Sequence, residues 1–522
     1  MRAIDFFDRG VDLTPGKLAL IEGETRLTFA ELQAETFRIA AALTRDGAAR
    51  QSTAAILAPN HWTVLAALLG IWRAGLRWVP VNARNAIDAN AEYLAYVRCE
   101  RLFYHSTMAA EVAVLRDRVP SLVSFICLDR PFEGDPSLAA YTAGLTAADY
   151  VEQADCFGNL DEHVGVFATG GTTGPAKGAQ VTNLGWSMMQ SWVSAAMDTN
   201  EAHKVSLLVA PLTHAAGPVA LATMSIGATQ LVLPGFDAEK VLRAIETHRV
   251  THMYLPPTAV YMLLDHPLAK SADLSSLRRL VVAGSPIAPD KLRQAVELFG
   301  PCMCQCYGQV EAPMIVTWLP PQDVAAAAAG DRPERLASCG RPSHHVRIGI
   351  MDDDGRLLPP GERGEIVVRS TMVSQAYFEL PDATAEAHRD GWHHTGDVAY
   401  RDADGYVYIV DRKKDMIVTG GFNVFSAEVE AAVMELDAVM EAAVIGVPDP
   451  KWGEAVTALV VPAHGMTIDP AKVIAHAKAR LGGVKAPKSV ELVEALPKTA
   501  AGKVDKKAIR ARYWGGTGRF VN

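Results

Sequence analysis

Hydrophobic and polar positions in the first part of the chain alternate between two patterns. Apolar residues recur at helical spacing over 29–43, behind a suitable N-cap at Thr28, and a second, mostly apolar helix is predicted over 62–74. Short, mostly apolar runs at 53–57 and 205–209 predict buried strands. Strands that alternate with helices predict parallel sheets covered by helices on their faces. The expected fold class is therefore α/β.

The pattern restarts near the charged run 411–415, where a short predicted strand ends. A strand, a pair of glycines and a helix are predicted after it. Five charged residues in a row usually form a solvated turn, although at a domain junction they also suit a hinge. We therefore predict two domains: a large one, 1–411, built from βα-layered subdomains with parallel sheets, and a small, mobile α+β domain, 412–522.

Composition narrows the class of protein. The chain has 522 residues, of which 49% are hydrophobic and 21% charged, values typical of a globular protein with more than one domain. A formal net charge of −9 argues against a general binder of nucleic acid or of anionic membranes. The longest apolar stretch, 64–72, is too short to span a bilayer, and the N-terminus has no signal-peptide pattern. We expect a soluble cytoplasmic protein with no nucleic-acid partner and no integral membrane association.

The seven cysteines, an odd number scattered along the chain, fit a reducing compartment better than a disulfide framework. Cys302, Cys304 and Cys306 raise the alternative of a metal site. Their alternating spacing places all three on one face of a strand, whereas zinc sites usually have two residues between cysteines. Buried strand cysteines are the favoured interpretation.

The segment 169–178 combines four glycines, three threonines and one lysine directly after a predicted strand at 164–168. Glycines allow a backbone to turn tightly beside a ligand, and the exposed amides, hydroxyls and ammonium suit a nucleotide triphosphate. The Walker pattern does not apply, because Ala176 and Gly178 flank the lysine where that pattern requires glycine and Ser/Thr. Phosphate binding by another scheme and a flexible Gly/Thr linker both remain open on composition alone.

Further short motifs follow this one in a fixed order. The five motifs are 169–178, 211–214, 307–311, 394–397 and 496–503. In this order they resemble the adenylate-forming superfamily, which comprises acyl-CoA synthetases, carrier-protein-loading adenylation domains and firefly-type luciferases. The resemblance covers essentially the whole chain and is most specific from 164 to 503. It implies that a carboxylate attacks the α-phosphate of ATP and forms an acyl-adenylate and pyrophosphate.

The resemblance implies a nucleotide site, with Mg²⁺ as cofactor and ATP as substrate. Glu311 would hold Mg²⁺ and act in catalysis, and Tyr307 would lie against the adenine ring. Asp397 would accept hydrogen bonds from the ribose, and Arg412 would reach the ribose and phosphate region. From residue types alone, Tyr307 is as readily a core aromatic and Glu311 a surface acid. The remaining nucleotide-binding positions implied are Thr169, Gly171, Thr172, Thr173, Gly174, Lys177 and Gly308.

A second set of residues is implied for the acid and for the catalytic lysine. Lys503 resembles the lysine that reaches from the small domain to the reacting carboxylate and α-phosphate, and a compact ammonium on a long stem suits a removable clamp. His214 resembles the residue that lines the carboxylate channel, although an isolated histidine is as often structural. The acyl pocket would be walled by His214, Gly284, Cys306 and Met314.

The thioester half-reaction brings in CoA as the second substrate and a rotation of the small domain. Lys414 falls on the hinge position of the family. Gly420 and Gly421 fall where the pantetheine thiol passes close to the backbone. Trp452 is expected to stack on the CoA adenine, with a packed surface tryptophan as the equal alternative.

Three positions depart from the family pattern. Gly170 stands where serine is usual, and Ala176 where proline is usual. Val310 replaces a threonine whose hydroxyl contacts the α-phosphate, a loss of roughly 1.5–3 kcal/mol if nothing replaces that hydrogen bond. Because Glu311 and Lys503 are present, we expect an active enzyme.

The favoured function is an acid–CoA ligase that acts on a medium or longer fatty acid or on an aryl acid, with fatty acids preferred. Cys306 is small, where a tryptophan would limit the pocket to acetate-sized acids. The alternative is a free-standing adenylation enzyme that loads a separate carrier protein. A luciferase-like oxidase and a catalytically degenerate nucleotide sensor are more remote, and a homodimer is compatible with the sequence.

Overall fold

The computed structural model describes residues 1–169, 176–213, 215–463, 465–499 and 503–514. The chain divides into two compact units. The first contains Met1–Arg347 and Val368–His393, and the second contains Ile348–Val367 and His394–Asn522. The predicted boundary at 411 and 412 stays a prediction.

The helices of the described residues alternate with strands in the first unit, as the apolar pattern predicts. They are α1 (Ala3–Leu13), α2 (Phe29–Arg45), α3 (Trp62–Arg73), α4 (Ile87–Tyr96), α5 (Ala109–Arg118), α6 (Leu138–Tyr141), α7 (Asn183–Met197), α8 (Ala216–Ser225), α9 (Ala238–His248), α10 (Pro257–Leu264), α11 (Pro289–Phe299), α12 (Pro321–Ala328), α13 (Pro381–Ala387), α14 (Ser426–Met434), α15 (Pro470–Leu481) and α16 (Lys506–Trp514). Short 3-10 helices are Ser106–Met108, Ala147–Asp149, Pro267–Lys270 and Pro333–Ala337.

The strands of the described residues belong to four sheets. They are β1 (Leu18–Glu22), β2 (Thr25–Thr28), β3 (Thr53–Leu57), β4 (Arg77–Pro80), β5 (Arg101–Tyr104), β6 (Ser124–Cys127), β7 (His163–Ala168), β8 (Gly178–Thr182), β9 (Val205–Leu208), β10 (Thr229–Val232), β11 (His252–Leu255), β12 (Arg279–Val282), β13 (Met303–Tyr307), β14 (Thr317–Leu319), β15 (Arg341–Pro342), β16 (Arg347–Met351), β17 (Gly364–Arg369), β18 (Ala376–Tyr377), β19 (His388–Arg389), β20 (Trp392–Arg401), β21 (Val407–Arg412), β22 (Ile417–Thr419), β23 (Phe422–Val424), β24 (Val439–Asp449), β25 (Gly453–Pro462) and β26 (Ser489–Leu492).

Two large sheets form the first unit, and each is mainly parallel, with antiparallel strands at both edges of the first sheet and at one edge of the second. One has the order β15-β14-β13-β12-β11-β9-β10-β1-β2 and is parallel from β13 to β1. The other has the order β18-β8-β7-β4-β3-β5-β6 and is parallel from β7 to β6. The predicted α/β class with parallel sheets is confirmed. Loops at the carboxyl ends of parallel strands are the usual place for a ligand.

The second unit is built differently. Its main sheet has the order β23-β22-β25-β24, with β26 added parallel to β25. β24 and β25 pair antiparallel over their whole length. The helices α14 and α15 contribute Val429 and Val473 to the core of this sheet. A further sheet contains β16, β17 and β20 in that order, and β21 pairs with β20. Predominantly antiparallel sheets with packed helices agree with the predicted α+β character of the C-terminal part.

Local signals in the sequence account for several of these elements. α2 begins at the predicted cap, where the Thr28 hydroxyl accepts from the Glu31 amide and the Glu31 carboxylate accepts from the Thr28 amide, a complete capping box. Cys302, Cys304 and Cys306 are all buried, in or just before β13, as predicted. Burial raises the pKa of the Cys302 and Cys306 thiols to about 12. No group of three metal-ligating side chains occurs in the part of the chain that the structure describes.

A search for membrane-spanning helices gives a negative result for the described ranges. None of the helices within them combines the length and the apolar character that crossing a bilayer requires.

Candidate active site

The ends of the glycine-rich segment lie at the mouth of a hairpin. β7 and β8 pair antiparallel up to Ala168 and Gly178. The Thr169 amide donates to the Lys177 carbonyl at 2.9 Å, and the Lys177 amide donates to the Thr169 hydroxyl at 3.3 Å. These two bonds fix both ends of the loop. The predicted positions Gly171, Thr172, Thr173 and Gly174, and also Gly170, lie outside the described residues.

The motif after β13 forms a tight turn that leads into β14. The Gln309 amide donates to the Ala312 carbonyl at 2.9 Å, and the Val316 amide donates to the Tyr307 carbonyl at 2.8 Å. A Cβ at Gly308 would lie 2.6 Å from the backbone carbon of Met314, so only glycine fits there.

Val310, one of the three departures from the family pattern, is half-buried within this turn. Met314 has φ +57°, a left-handed conformation that is uncommon for a residue other than glycine. The backbone of the motif is therefore held in one shape with some strain.

Glu311, the predicted metal ligand, is held by its side chain and its backbone. Its Oε1 accepts a hydrogen bond from the Tyr377 hydroxyl at 2.8 Å. Its carbonyl accepts from the Ser374 amide at 2.6 Å. Burial and then the charge of Glu311 raise the pKa of Tyr377, so the phenol stays protonated as a donor. Sequence reasoning missed Tyr377, because it lies far from every motif.

Lys177 and Glu311 are brought together through the same tyrosine. The Lys177 Nζ lies 5.0 Å from the centroid of the Tyr377 ring, within range of a cation–π interaction. Tyr377 lies on β18, where its Cα pairs with Ala179 of β8. β8 starts directly after Lys177, so the backbone register sets the distance between this lysine and the ring.

The predicted acyl-pocket residues lie at the carboxyl ends of neighbouring strands. Gly284 follows β12 with φ +95°, and Cys306 lies on the adjacent strand β13. A Cβ at Gly284 would lie 3.3 Å from the hydroxyl of Tyr254. Tyr254 and Cys306 are buried in one hydrophobic cluster, against which Met314 packs. Tyr254 is thus a neighbour of these predicted residues that the sequence reasoning missed.

The segment that leads to His214 is clamped by a buried asparagine. The Asn60 amide group donates to the Ala210 carbonyl at 2.9 Å and accepts from the Leu212 amide at 3.0 Å. Both hydrogen bonds are buried, so they fix the path of 210–212 after β9. His214 itself lies outside the described residues.

Asp397 and Arg412 of the second unit are brought together as an ion pair. They are Cα partners across β20 and β21, and the Arg412 Nε lies 3.2 Å from the Asp397 Oδ1. The turn before Asp397 is held by Glu365, which accepts from the Gly396 amide at 2.9 Å and contacts His394 at 3.2 Å. Glu365 is buried and was missed by sequence reasoning.

The Lys503 ammonium interacts electrostatically with the same ion pair. The pKa of its ammonium is lowered by loss of hydration and then by the charge of Arg412, whereas the carboxylate of Asp397 acts in the opposite direction. The residue as a whole is exposed, so these interactions contribute little energy, although the ammonium itself has lost part of its hydration. The Lys503 carbonyl accepts from the Thr499 amide at 2.7 Å. Asp397, Arg412 and Lys503 therefore form one polar group within the second unit.

The charged run 411–415 is not a fully solvated turn. Asp411 is buried, and its carboxylate accepts from the Ser426 hydroxyl at 2.8 Å. Asp415 pairs with Arg510 at 2.8 Å. Lys414, the predicted hinge residue, is half-buried, and loss of hydration followed by the charge of Arg412 lowers its pKa.

Lys506 completes this network from the first turn of α16. Its ammonium lies 2.7 Å from the Glu430 carboxylate and donates to the Ser426 hydroxyl at 2.6 Å. Burial raises the pKa of Glu430 and of Asp411. Burial lowers the pKa of Lys506, but the charges of the surrounding carboxylates, led by Glu430 and Asp411, raise it, and the net shift is upward. The start of α16, three residues after Lys503, is therefore fixed to α14 and to the end of β21.

Gly420 and Gly421 connect β22 and β23 as a two-residue hairpin turn. Their φ values are +56° and +81°, and hairpin turns with two positive φ angles strongly favour glycine. The Gly420 amide donates to the Trp452 carbonyl at 2.7 Å, and a Cβ at Gly420 would lie 2.8 Å from the Trp452 Cε3. Trp452 is 40% exposed, and the Lys451 ammonium lies 4.8 Å from its ring. The glycine pair thus supports a partly exposed aromatic surface.

Comparisons with known proteins cover almost the whole chain. The AMP-binding enzyme family matches residues 7–378, and the AMP-binding enzyme C-terminal domain matches 428–503.

A medium/long-chain-fatty-acid–CoA ligase of Mycobacterium tuberculosis is 39% identical over 97% of this chain and 89% of its own length. A feruloyl-CoA synthase of Amycolatopsis sp. is 38% identical over 97% of this chain and 98% of its own. The solved structure of the amide bond synthetase McbA from Marinactinospora thermotolerans matches with a TM-score of 0.87 and 32% identity, over 98% of this chain and 100% of that one. The chain therefore belongs to the AMP-binding enzymes, the adenylate-forming superfamily that its motifs resemble.

Proposed function

We propose that the protein is an ATP-dependent carboxylic acid–CoA ligase that forms acyl-CoA, AMP and pyrophosphate through an acyl-adenylate. Its membership of the AMP-binding enzymes and the CoA ligases among its relatives support this reaction. The observation that carries the proposal is the polar group of Asp397, Arg412 and Lys503. Arg412 pairs with Asp397 at 3.2 Å, and the Lys503 ammonium interacts electrostatically with both of them.

The first half-reaction is an adenylation. A carboxylate oxygen attacks the α-phosphorus of ATP, the bond from that phosphorus to the bridging oxygen breaks, and pyrophosphate leaves. Three anionic groups approach or separate in this step, so fixed cations contribute much of the rate. We assign this role to Lys177 at the phosphate loop and to Arg412 and Lys503 in the second unit. Asp397 would orient the ribose, and Tyr307 would pack against the adenine.

Mg²⁺ is the cofactor that we propose for this step, with Glu311 as its protein ligand. Mg²⁺ on a nucleotide is commonly bound by one or two carboxylates together with phosphates and water. Glu311 supplies one carboxylate, and the described residues hold no cluster of three metal-ligating groups, so this donor set fits a metal that arrives with ATP. The ion would neutralise phosphate charge as pyrophosphate leaves.

The second half-reaction transfers the acyl group to CoA. The thiol sulfur attacks the acyl carbonyl, the carbon–oxygen bond to AMP breaks, and the thiol loses its proton. We propose that residues 412–522 act as a mobile domain with a hinge at Lys414, so that Lys503 withdraws before the thiol enters. Gly420 and Gly421 would border the thiol path, and the exposed face of Trp452 suits stacking on the CoA adenine.

For the acid we propose a medium- or long-chain fatty acid or an aryl acid, bounded by Gly284, Cys306, Met314 and His214. Two of the similar proteins are a fatty-acid ligase and a feruloyl-CoA synthase, and this supports both classes. The small side chain at Cys306, next to Gly284, leaves room for an acid larger than acetate. A cytoplasmic location and a homodimer complete the proposal and rest on the sequence alone.

The test is an acid panel scored by pyrophosphate release and by product mass. Fatty acids of increasing length and substituted aryl acids are each incubated with ATP and Mg²⁺, with CoA, with a phosphopantetheinylated carrier protein, or with a simple amine. We expect acid-dependent pyrophosphate release and an acyl-CoA product. A product on the carrier alone would support the carrier-loading alternative, and an amide alone would point to amide synthesis. Absence of acid-dependent pyrophosphate release from the whole panel would refute adenylation.

A further inference from the structure

Tyr377 is a residue outside all five motifs that touches two of them. Its hydroxyl donates to the Glu311 carboxylate at 2.8 Å, and the face of its ring lies 5.0 Å from the Lys177 ammonium. One of these groups is the proposed metal ligand, and the other is the lysine of the phosphate loop. The same side chain therefore contacts the two groups that would meet the triphosphate from the first unit.

The position of Tyr377 is fixed by its own backbone. It pairs with Ala179 across β18 and β8, and its amide donates to the Thr384 hydroxyl at 3.0 Å. The next residue, Phe378, donates its amide to the Gly178 carbonyl at 2.7 Å. The tyrosine is buried, so its ring has little freedom to turn away.

Ser374 ties the same segment to the backbone of Glu311. Its amide donates to the Glu311 carbonyl at 2.6 Å, and its hydroxyl lies 2.9 Å from the Gln180 carbonyl and 3.1 Å from the Ala376 carbonyl. The segment 374–377 thus holds Glu311 at two points and holds the strand that leaves the phosphate loop. A shift of Glu311 relative to Lys177 would break several of these bonds together.

A carboxylate accepts hydrogen bonds at both oxygens, whereas a metal needs one of them in a defined direction. The Tyr377 hydroxyl occupies Oε1 and so restrains the rotation of the carboxylate without using its second oxygen. The negative face of the ring attracts the ammonium of Lys177 and limits the positions of a long side chain that would otherwise move freely. Both effects lower the cost of ordering these groups when a ligand binds.

We propose that Tyr377 is a positioning residue that holds the Glu311 carboxylate and the Lys177 ammonium in one arrangement for Mg²⁺–ATP. The proposal rests on the proposed function, because it assigns Glu311 to the metal and Lys177 to the phosphates. It adds a residue whose hydroxyl serves the metal ligand and whose ring serves the lysine. These two roles are separable by substitution.

The experiment measures ATP binding by calorimetry on the full chain, with no acid and no CoA, in EDTA and at increasing Mg²⁺. Tyr377→Phe keeps the ring and removes the hydroxyl, and Tyr377→Leu removes both. For Tyr377→Phe we expect ATP affinity in EDTA within about twofold of the wild type, and a gain on adding Mg²⁺ that is about tenfold smaller. For Tyr377→Leu we expect the same loss and, in addition, a two- to fivefold weaker affinity in EDTA.

Tyr104→Phe is the matched control, because the Tyr104 hydroxyl also donates to a carboxylate, that of Asp135, at 2.8 Å in the same unit. It should leave both affinities unchanged, and the melting temperatures of all variants report whether they are folded. A Tyr377→Phe protein that is folded and gains as much from Mg²⁺ as the wild type would overturn the proposal. If the wild type itself bound no ATP with Mg²⁺, the proposed function would fail instead. The two failures are therefore distinguishable.

Discussion

Lys506→Met is the perturbation that probes the charged network behind the proposed hinge. Lys506 is the cation that contacts Glu430, and it also interacts electrostatically with Asp411 and Asp415. Methionine keeps most of the side-chain volume and removes the charge. Three carboxylates would then lie close together with less compensation, in a region where their side chains are largely buried.

The magnitude follows from the burial of this pair. The side chains of Lys506 and Glu430 are 16% and 18% exposed, so the interaction is only weakly screened by water. Removing one partner of a buried ion pair costs about 3–5 kcal/mol, because the remaining charge is left uncompensated. Since about 1.4 kcal/mol corresponds to a factor of ten, a cost of about 3 kcal/mol raises the local opening equilibrium roughly 100-fold.

The pH dependence of this loss has a definite sign. Burial already raises the pKa of Glu430 and of Asp411 in the folded protein, and loss of the ammonium raises both further. A carboxyl group with a raised folded-state pKa favours folding below that pKa, and this contribution is lost as the pH rises through it. The defect of Lys506→Met should therefore be largest near about pH 8 and shrink toward about pH 5.

The assay is hydrogen exchange with mass spectrometry on the full chain, which follows peptides from α16 (Lys506–Trp514). Lys507→Met is the matched control, because Lys507 is the exposed neighbour on the same helix and its loss should change stability by no more than about 0.5 kcal/mol. The double variant Lys506→Met with Glu430→Gln should recover part of the protection. A loss below about 1 kcal/mol, or a loss that does not vary with pH, would refute this account of the network.

Three further outcomes test the site directly. Lys503→Ala should reduce the rate of adenylation by at least about 100-fold but spare thioester formation from a supplied acyl-adenylate. Rapid-quench assays measure the two half-reactions separately. Equal losses in both would contradict the proposal that Lys503 withdraws before the thiol enters. Gly420→Ala places a Cβ 2.8 Å from Trp452 and forces a positive φ on alanine, at a cost of about 1–2 kcal/mol. We expect this variant to raise the KM for CoA and to leave the rate of adenylation unchanged. Asn60→Leu leaves the buried Leu212 amide and the buried Ala210 carbonyl without their hydrogen-bond partner, at a cost of about 1–3 kcal/mol each. We expect it to raise the KM for the acid more than the KM for ATP. Equal changes in both constants would argue against a role in the acid channel.

Elements with local signals were predictable from the sequence. The capping box at Thr28 marks the start of α2. The apolar periodicity predicts that the helix ends at 43, and in the structure it ends two residues later, at Arg45. β7 (His163–Ala168) begins one residue before its predicted start, and β3 (Thr53–Leu57) coincides with the strand predicted at 53–57. In these cases the information lies within a few residues of the element.

Interactions between distant residues were not predictable in the same way. Asp411 belongs to a charged run that usually forms a solvated turn, yet it is buried against Ser426. It also interacts with Lys506, which lies 80 residues after Ser426. Nothing local in the sequence marks Tyr377 or Asn60, because a tyrosine in an edge strand and an asparagine before a helix are ordinary. Only the fold brings them to Glu311 and to the segment before His214.

The sequence suggests one reason for the glycine pair, and the structure shows a different one. Gly420 and Gly421 were assigned to the passage of a thiol, and that role stays a prediction. Their positive φ angles and the contact between Gly420 and Trp452 give a structural requirement for glycine that holds without any ligand. The two reasons are compatible, because a hairpin turn without Cβ atoms also leaves its outer side open.

The charged residues of the candidate site share a physical arrangement that bears on how it works. Asp397 is paired with Arg412, and Glu311 accepts from a phenol. A group that is already bonded in one orientation loses little freedom when it exchanges its partner for a substrate, so the ordering cost is met during folding rather than during binding. Lys503 differs, since the residue as a whole is exposed. An enzyme that needs fixed groups for ATP and one removable group for the change from adenylation to thioester formation would hold its residues in this way.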